Sequence, residues 1–233
     1  MQRPVIAAVV VALALLAARP AGAVPLRAGA DAALSAVDSD SPPWFCHNLD
    51  CPKYDVLEVK DAYETRYYKP GMWASTDVQS YAFSMAVSTG FKRLFEYIDG
   101  ANNEAVKIPM TAPVRTTVGA AAGPFCKNNF TVSFFIPFPF QKKGAPKPNN
   151  PDVYLEEEAG SFTAYVAQKG GYVLDDWSVQ SMVKGLTQAL EADGKVFDNE
   201  TFVTAGYDPP FRIAGRHNEV WLMATDAEQQ SKL

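Results

Sequence analysis

Few side chains in this 233-residue chain have the types and spacing that catalysis requires. There are two histidines, His47 and His217. A serine or cysteine nucleophile needs a base beside it, and neither histidine lies in a nucleophile motif. Cys46, Cys51 and Cys126 are too few and too scattered for a zinc site. No glycine-rich loop follows a strand to cradle a phosphate. Glu156-Glu157-Glu158 reads as a solvated strand end. We therefore assign no catalytic residue and no metal centre, and expect a binding protein and not an enzyme.

The residue types that stand out are apolar and flat. The chain has 14 Phe, 10 Tyr, 4 Trp and 6 Met. Aromatic side chains suit flat apolar ligands as well as cores. Apart from Phe91, which sits on a regular apolar stripe, the candidates for a ligand lie off that stripe or beside proline. They are Met85, Phe91 and Phe95 in one segment, Met110 in a second, and Pro209, Pro210 and Phe211 in a third. Lys92, beside Arg93, is placed to meet an anionic group at the mouth of a groove.

The elements that must position these residues follow from periodicity. Phe83, Val87, Phe91, Leu94 and Ile98 recur at steps of three and four, which makes one stripe of a helix closed by Gly100. Val179, Val183, Leu186 and Leu190 do the same after Asp175 or Asp176, either of which can cap the helix. Strands are expected at Tyr54–Val59, Tyr63–Tyr68, Met72–Val78, Lys107–Val118, Phe130–Phe138, Val153–Glu157, Phe162–Gln168, Thr201–Tyr207 and Asn218–Met223. Pro109 and Pro113 make the fourth of these irregular, because proline cannot donate to a ladder. Pro137 to Pro151 reads as a long connection, either a linker or a crossover. Each half thus has strands, one amphipathic helix, then strands. The fold class is α+β, with two pseudo-symmetric halves sharing one antiparallel sheet or barrel.

The amino-terminal residues read as a leader. Arg3 precedes an apolar run from Val5 to Ala18, and Ala21-Gly22-Ala23 has the form of a cleavage site, so residues 1–23 are expected to be a signal peptide. Residues 24–43 read as a flexible arm, 44–225 as one folded domain and 226–233 as a tail. Asn129-Phe130-Thr131 and Asn199-Glu200-Thr201 are glycosylation acceptor patterns. The terminal Ser231-Lys232-Leu233 is a competing peroxisomal address. A signal peptide acts during synthesis, so a secreted protein is expected. In an oxidising compartment one cysteine pair forms, Cys46 with Cys51 or one of them with Cys126. The formal charge is −5. An acidic chain without a basic cluster is a poor partner for nucleic acid or an anionic membrane, and no later stretch is long and apolar enough to span a bilayer.

Several segments together resemble the SOUL heme-binding family. They are Tyr63-Glu64-Thr65-Arg66-Tyr67-Tyr68, Trp73-Ala74-Ser75-Thr76, Gly90-Phe91 through Asp99-Gly100, Lys107 to Val114, Gly123-Pro124-Phe125, Asp193 to Phe197, Thr204 to Phe211 and Asn218 to Leu222. The resemblance implies a distorted antiparallel β-barrel with two long helices. It also implies heme or porphyrin held non-covalently in an apolar groove by the first helix. Some members carry a histidine in the second strand as an iron ligand; here Tyr67 or its neighbour Tyr68 holds that place. Ser88 and Glu96 stand where related members have basic residues. The resemblance further implies that the second helix can act as an amphipathic motif toward a protein partner linked to cell death.

Overall fold

The computed structural model describes residues 42–119, 127–173 and 175–225. The leader, residues 24–41 of the arm, Cys126 and the tail from 226 lie outside the described residues. Nine strands form one antiparallel sheet: β1 (Tyr54–Val59), β2 (Glu64–Tyr68), β3 (Gly71–Ser80), β4 (Val114–Gly119), β5 (Asn128–Phe135), β6 (Val153–Glu158), β7 (Phe162–Lys169), β8 (Thr201–Gly206) and β9 (Asn218–Met223). Three helices accompany them: α1 (Phe83–Ile98), α2 (Phe138–Lys143) and α3 (Asp176–Ala192).

The strand order is β1-β2-β7-β9-β8-β4-β5-β3-β6. This order contains the expected two-fold repeat. Reading outward from the β4–β8 pair, β5 matches β9, β3 matches β7, and β6 matches β2. Thr116 pairs with Thr204 at the centre of that ladder. The first strand of each half is exchanged, since β2 pairs with β7 and β6 with β3. The halves are therefore stitched into one sheet, with β1 as an added edge. The sheet curls as a half-barrel whose edge strands, β1 and β6, each have one neighbour.

Both long helices pack on one face. Phe83, Ala86, Leu94, Tyr97 and Ile98 of α1 are buried, as are Val179, Met182, Leu186 and Leu190 of α3. In α3 the buried stripe runs through Met182, and Val183 sits at its edge. That stripe is core in this structure. Asp175 caps α3 by accepting from the Ser178 N–H. Asp176 reaches to the other helix and accepts from the Phe83 N–H at 3.2 Å, so the two helix starts abut.

Two expectations need correction, and two open alternatives are decided. The strand drawn from Lys107 begins only at Val114. Pro109 and Pro113 remove two donors from Lys107–Pro113, and its other groups bond outside a ladder. Ile108 N–H donates to the Ile98 carbonyl, Ala112 N–H to Asp50 and the Thr111 hydroxyl to Phe135. The strand drawn to Phe138 ends at Phe135, and α2 follows with a proline in its first turn, where no N–H is needed. Pro137 to Pro151 is a crossover packed on the loop after α1: Asn103 N–H bonds Lys147, Asn149 N–H bonds Ala101, and the Tyr97 hydroxyl donates to Pro146. Cys46 and Cys51 are disulfide-bonded, which selects the shorter of the expected pairings. Their loop lays Phe45 onto the face of the sheet opposite the helices.

Candidate functional site

Half of the ligand candidates lie on α1, and the helix divides them between its faces. Its inner face includes Gly90, where a Cβ would stand 2.5 Å from Val132 Cγ2 and 2.6 Å from Val132 Cβ. The helix axis thus approaches β5 as closely as a bare backbone allows. The outer face carries Met85, Ser88, Lys92 and Phe95 at steps of three and four, all exposed. Met85 is 66% exposed and Phe95 47%. Phe91 lies between the faces, stacked on Phe95 with centroids 5.9 Å apart and edge-on to Phe134 at 5.2 Å. Met110, half-buried, packs in the same cluster as Phe91. A Met–Phe–Phe ribbon therefore runs along α1 into the proline-rich segment after it.

The charged groups around the ribbon are unevenly free. Arg93 is engaged by the Thr76 hydroxyl, the Asp77 carbonyl and Asp152 at 3.1 Å. Lys92 is exposed on the ribbon's own face, as are Ser88 and Glu96. Pro209, Pro210 and Phe211 lie apart from α1 in the β8–β9 loop, tied to Tyr172 and Arg216.

Tyr67 is half-buried on β2, with Lys69 Nζ 4.9 Å from its ring centroid. Four strands separate β2 from β5, the strand beneath α1. Five inter-strand steps of roughly 4.8 Å measure about 24 Å around the curled sheet, and Tyr67 sits on β2 against Lys69 and not on a strand beneath α1. Tyr68 points to the opposite face, stacked on Trp221 and Phe162 and 2% exposed.

Both histidines have structural partners. His47 Nε2 meets Asp208 Oδ1 at 2.8 Å, and His217 Nε2 meets Glu219 Oε1 at 2.7 Å. Glu219 is the centre of a network that the sequence did not disclose. Its two oxygens accept from Arg66 Nη1 (2.9 Å), His217 Nε2, the Tyr207 hydroxyl (2.9 Å) and Trp221 Nε1 (2.8 Å). Burial pushes the Glu219 carboxyl up, but the Arg66 charge and the bonds from His217 and Trp221 hold it below the ordinary carboxylate value. Burial pushes the hydroxyls of Tyr68 and Tyr207 well above the usual phenol range. The available signal was Arg66/Tyr68 and Glu219/Trp221 on a period of two, which puts each charge beside an aromatic on one sheet face.

A second ionic cluster corrects the reading of the glutamate run. Glu156 and Glu158 alternate toward Arg115, at 3.7 and 3.3 Å, and that guanidinium lies 4.0 Å from the centroid of Trp73. Burial raises the Glu158 carboxyl above its ordinary value although Arg115 opposes it. Only Glu157 remains outside this cluster. Among the described residues no group of three or more His, Cys, Asp or Glu side chains is placed to hold a metal ion.

The comparisons with known proteins decide the family. The profile of the SOUL heme-binding protein family matches residues 49–223. The chain belongs to the SOUL family. Among curated relatives, heme-binding protein 2 of Homo sapiens is 37% identical over 196 residues, covering 84% of this chain and 90% of the relative. Heme-binding protein 1 of Xenopus laevis is 32% identical over 162 residues, covering 70% and 83%. Among solved structures, the EcmrR C-terminal domain aligns at a TM-score of 0.50 with 14% identity, covering 74% of this SOUL chain and 98% of that one. That likeness concerns the fold alone.

A flat tetrapyrrole was tested against these side chains. The α1 ribbon offers a face that such a ring can cover, and exposed Lys92 can meet a ring carboxylate. It offers no imidazole, since both histidines are bonded to carboxylates elsewhere. The residues of this SOUL chain fit a ring held by its apolar face, and not a ring held by its iron through histidine.

Proposed function

We propose that this protein binds heme or a related tetrapyrrole non-covalently on the outer face of α1, for carriage or buffering and not for catalysis. One observation carries the reading. Met85 and Phe95 are large, apolar and exposed on a helix whose opposite face already supplies the core. Covering them with a ring removes apolar surface from water at about 25 cal/mol per Å². Phe91 and Met110 form the floor, and Lys92 stands beside them for a propionate. The family supports this reading, since its curated relatives are named heme-binding proteins.

The setting we infer is the secretory route, with residues 1–23 as a cleaved leader. The Cys46–Cys51 disulfide suits an oxidising compartment. Asn129 and Asn199 are both exposed, as glycosylation requires. In that route the terminal Ser231-Lys232-Leu233 is not read as an address.

Hemin titration of the processed protein, followed at the Soret band, tests the site. Replacing Met85→Ser and Phe95→Ser together should raise Kd at least tenfold with only a small drop in the thermal unfolding midpoint, because Met85 is exposed and Phe95 about half so. Tyr67→Phe should leave the titration and the spectrum unchanged. Equal affinity in the double variant would remove α1 from the site. A lost charge-transfer band in Tyr67→Phe would restore tyrosinate ligation.

A further inference from the structure

We propose that the β8–β9 loop seats this protein on the surface of a zwitterionic lipid bilayer. The loop's two large side chains, Phe211 and Ile213, are each 83% exposed. Between them Arg212 turns back, donating from Nε to the Ala214 carbonyl and pairing with Asp208 at 3.1 Å. The tip is therefore apolar although its sequence alternates with a charge.

Most carbonyls of the loop are satisfied within the protein. Arg216 donates to the carbonyls of Asp208, Pro209 and Arg212. Tyr172 donates to Pro210, and Arg212 N–H to Pro209. Five of the seven carbonyls from Asp208 to Ala214 thus have donors within the protein. Water would satisfy these groups without help. Internal satisfaction matters where a loop leaves water, because an unpaired polar group is costly there.

The surroundings favour a lipid surface. Trp44, 67% exposed, sits edge-on to His217 at the base of the loop, and Tyr172, 46% exposed, has the Arg216 guanidinium 4.4 Å from its ring centroid. Two amphipathic aromatics below an apolar tip match the headgroup and acyl layers of a bilayer. Arg212, partly exposed on the same loop, is available to a lipid phosphate. The chain's charge of −5 opposes anionic membranes, so the attraction is apolar and the surface zwitterionic. Among the described residues no helix is long and apolar enough to cross a membrane, so the contact is interfacial.

Vesicle flotation tests this with the processed protein, beginning at Val24, which lacks the apolar leader. It should float with phosphatidylcholine vesicles, and adding phosphatidylserine should not strengthen the partition. Phe211→Ser with Ile213→Ser should weaken it at least tenfold while hemin titration stays unchanged. Brominated phosphatidylcholine should quench tryptophan emission in the wild type, and Trp44→Phe should remove most of that quenching without needing the loop variant to fold. A wild type that stays with the unbound fraction, equal flotation of the double variant, or flotation only on anionic vesicles would each overturn the proposal.

Discussion

Replacing Arg66 with Ala is expected to destabilise the protein by about 3–5 kcal/mol, measured by chemical denaturation at neutral pH. The reason is Glu219. Its side chain is 0% exposed, and Arg66 at 2.9 Å is its ionic partner. Removing one member of a buried pair strands the other charge without water or a counter-charge. The hydrogen bonds from Tyr207 and Trp221 remain, but they are dipoles and do not neutralise a carboxylate. Adding Glu219→Gln to Arg66→Ala should recover part of the loss, since the neutral amide removes the stranded charge while its carbonyl oxygen still accepts from the buried donors. The pH dependence has a defined sign. The folded carboxyl is held below its ordinary value of 4.5, so its contribution is present above that value and is lost as pH falls through the folded value. Glu219→Gln should lack this part of the acid unfolding curve. A single Arg66→Ala variant within 1 kcal/mol of wild type would show that the pair is not the fixed point described here.

Gly90→Ala carries the second large effect. An alanine Cβ would stand 2.5 Å from Val132 Cγ2 and 2.6 Å from Val132 Cβ. The Val132 Cβ is fixed to the β5 backbone and cannot swing away. Alanine gains up to about 1 kcal/mol of helix propensity over glycine. The overlap forces α1 off the sheet and costs more than that gain, so the net loss is about 1–3 kcal/mol. Thermal unfolding would register it as a lower midpoint. Val132→Ala in the same chain should restore little of the stability, because it removes the overlapping methyl groups but keeps the Cβ 2.6 Å from the new alanine and opens a gap in the core. Since α1 is the proposed ligand wall, Gly90→Ala should also weaken hemin binding. An unchanged midpoint would mean that α1 docks less closely than described.

These two sites also show what a reading of residues can reach. The α1 and α3 stripes were legible because helical packing repeats every three or four residues, and the repeat of halves was legible because each contains one such helix. The outer ribbon of Met85 and Phe95 was legible as apolar residues beside the stripe. The Arg66–Glu219 pair was not, because its members are 153 residues apart and meet only once β2, β7 and β9 are laid side by side. Nor could spacing show that His47 and His217 serve Asp208 and Glu219. The segment Lys107–Pro113 reads as the start of a β-branched strand, but its two prolines lack an N–H and its Ile108 and Ala112 donors bond outside any ladder. Tyr67 was legible as a place in a family motif. Its distance from α1 came only with the strand order.

The central claim is that the ring is held by its apolar face and not by its iron. The most direct measurement is a paired titration of the wild-type protein with hemin and with iron-free protoporphyrin, followed by quenching of tryptophan fluorescence. The account predicts affinities within about threefold of each other, since the same face would cover Met85, Phe91 and Phe95 in both cases and a factor of three is less than about 1 kcal/mol. Protoporphyrin binding a hundredfold more weakly than hemin would contradict it.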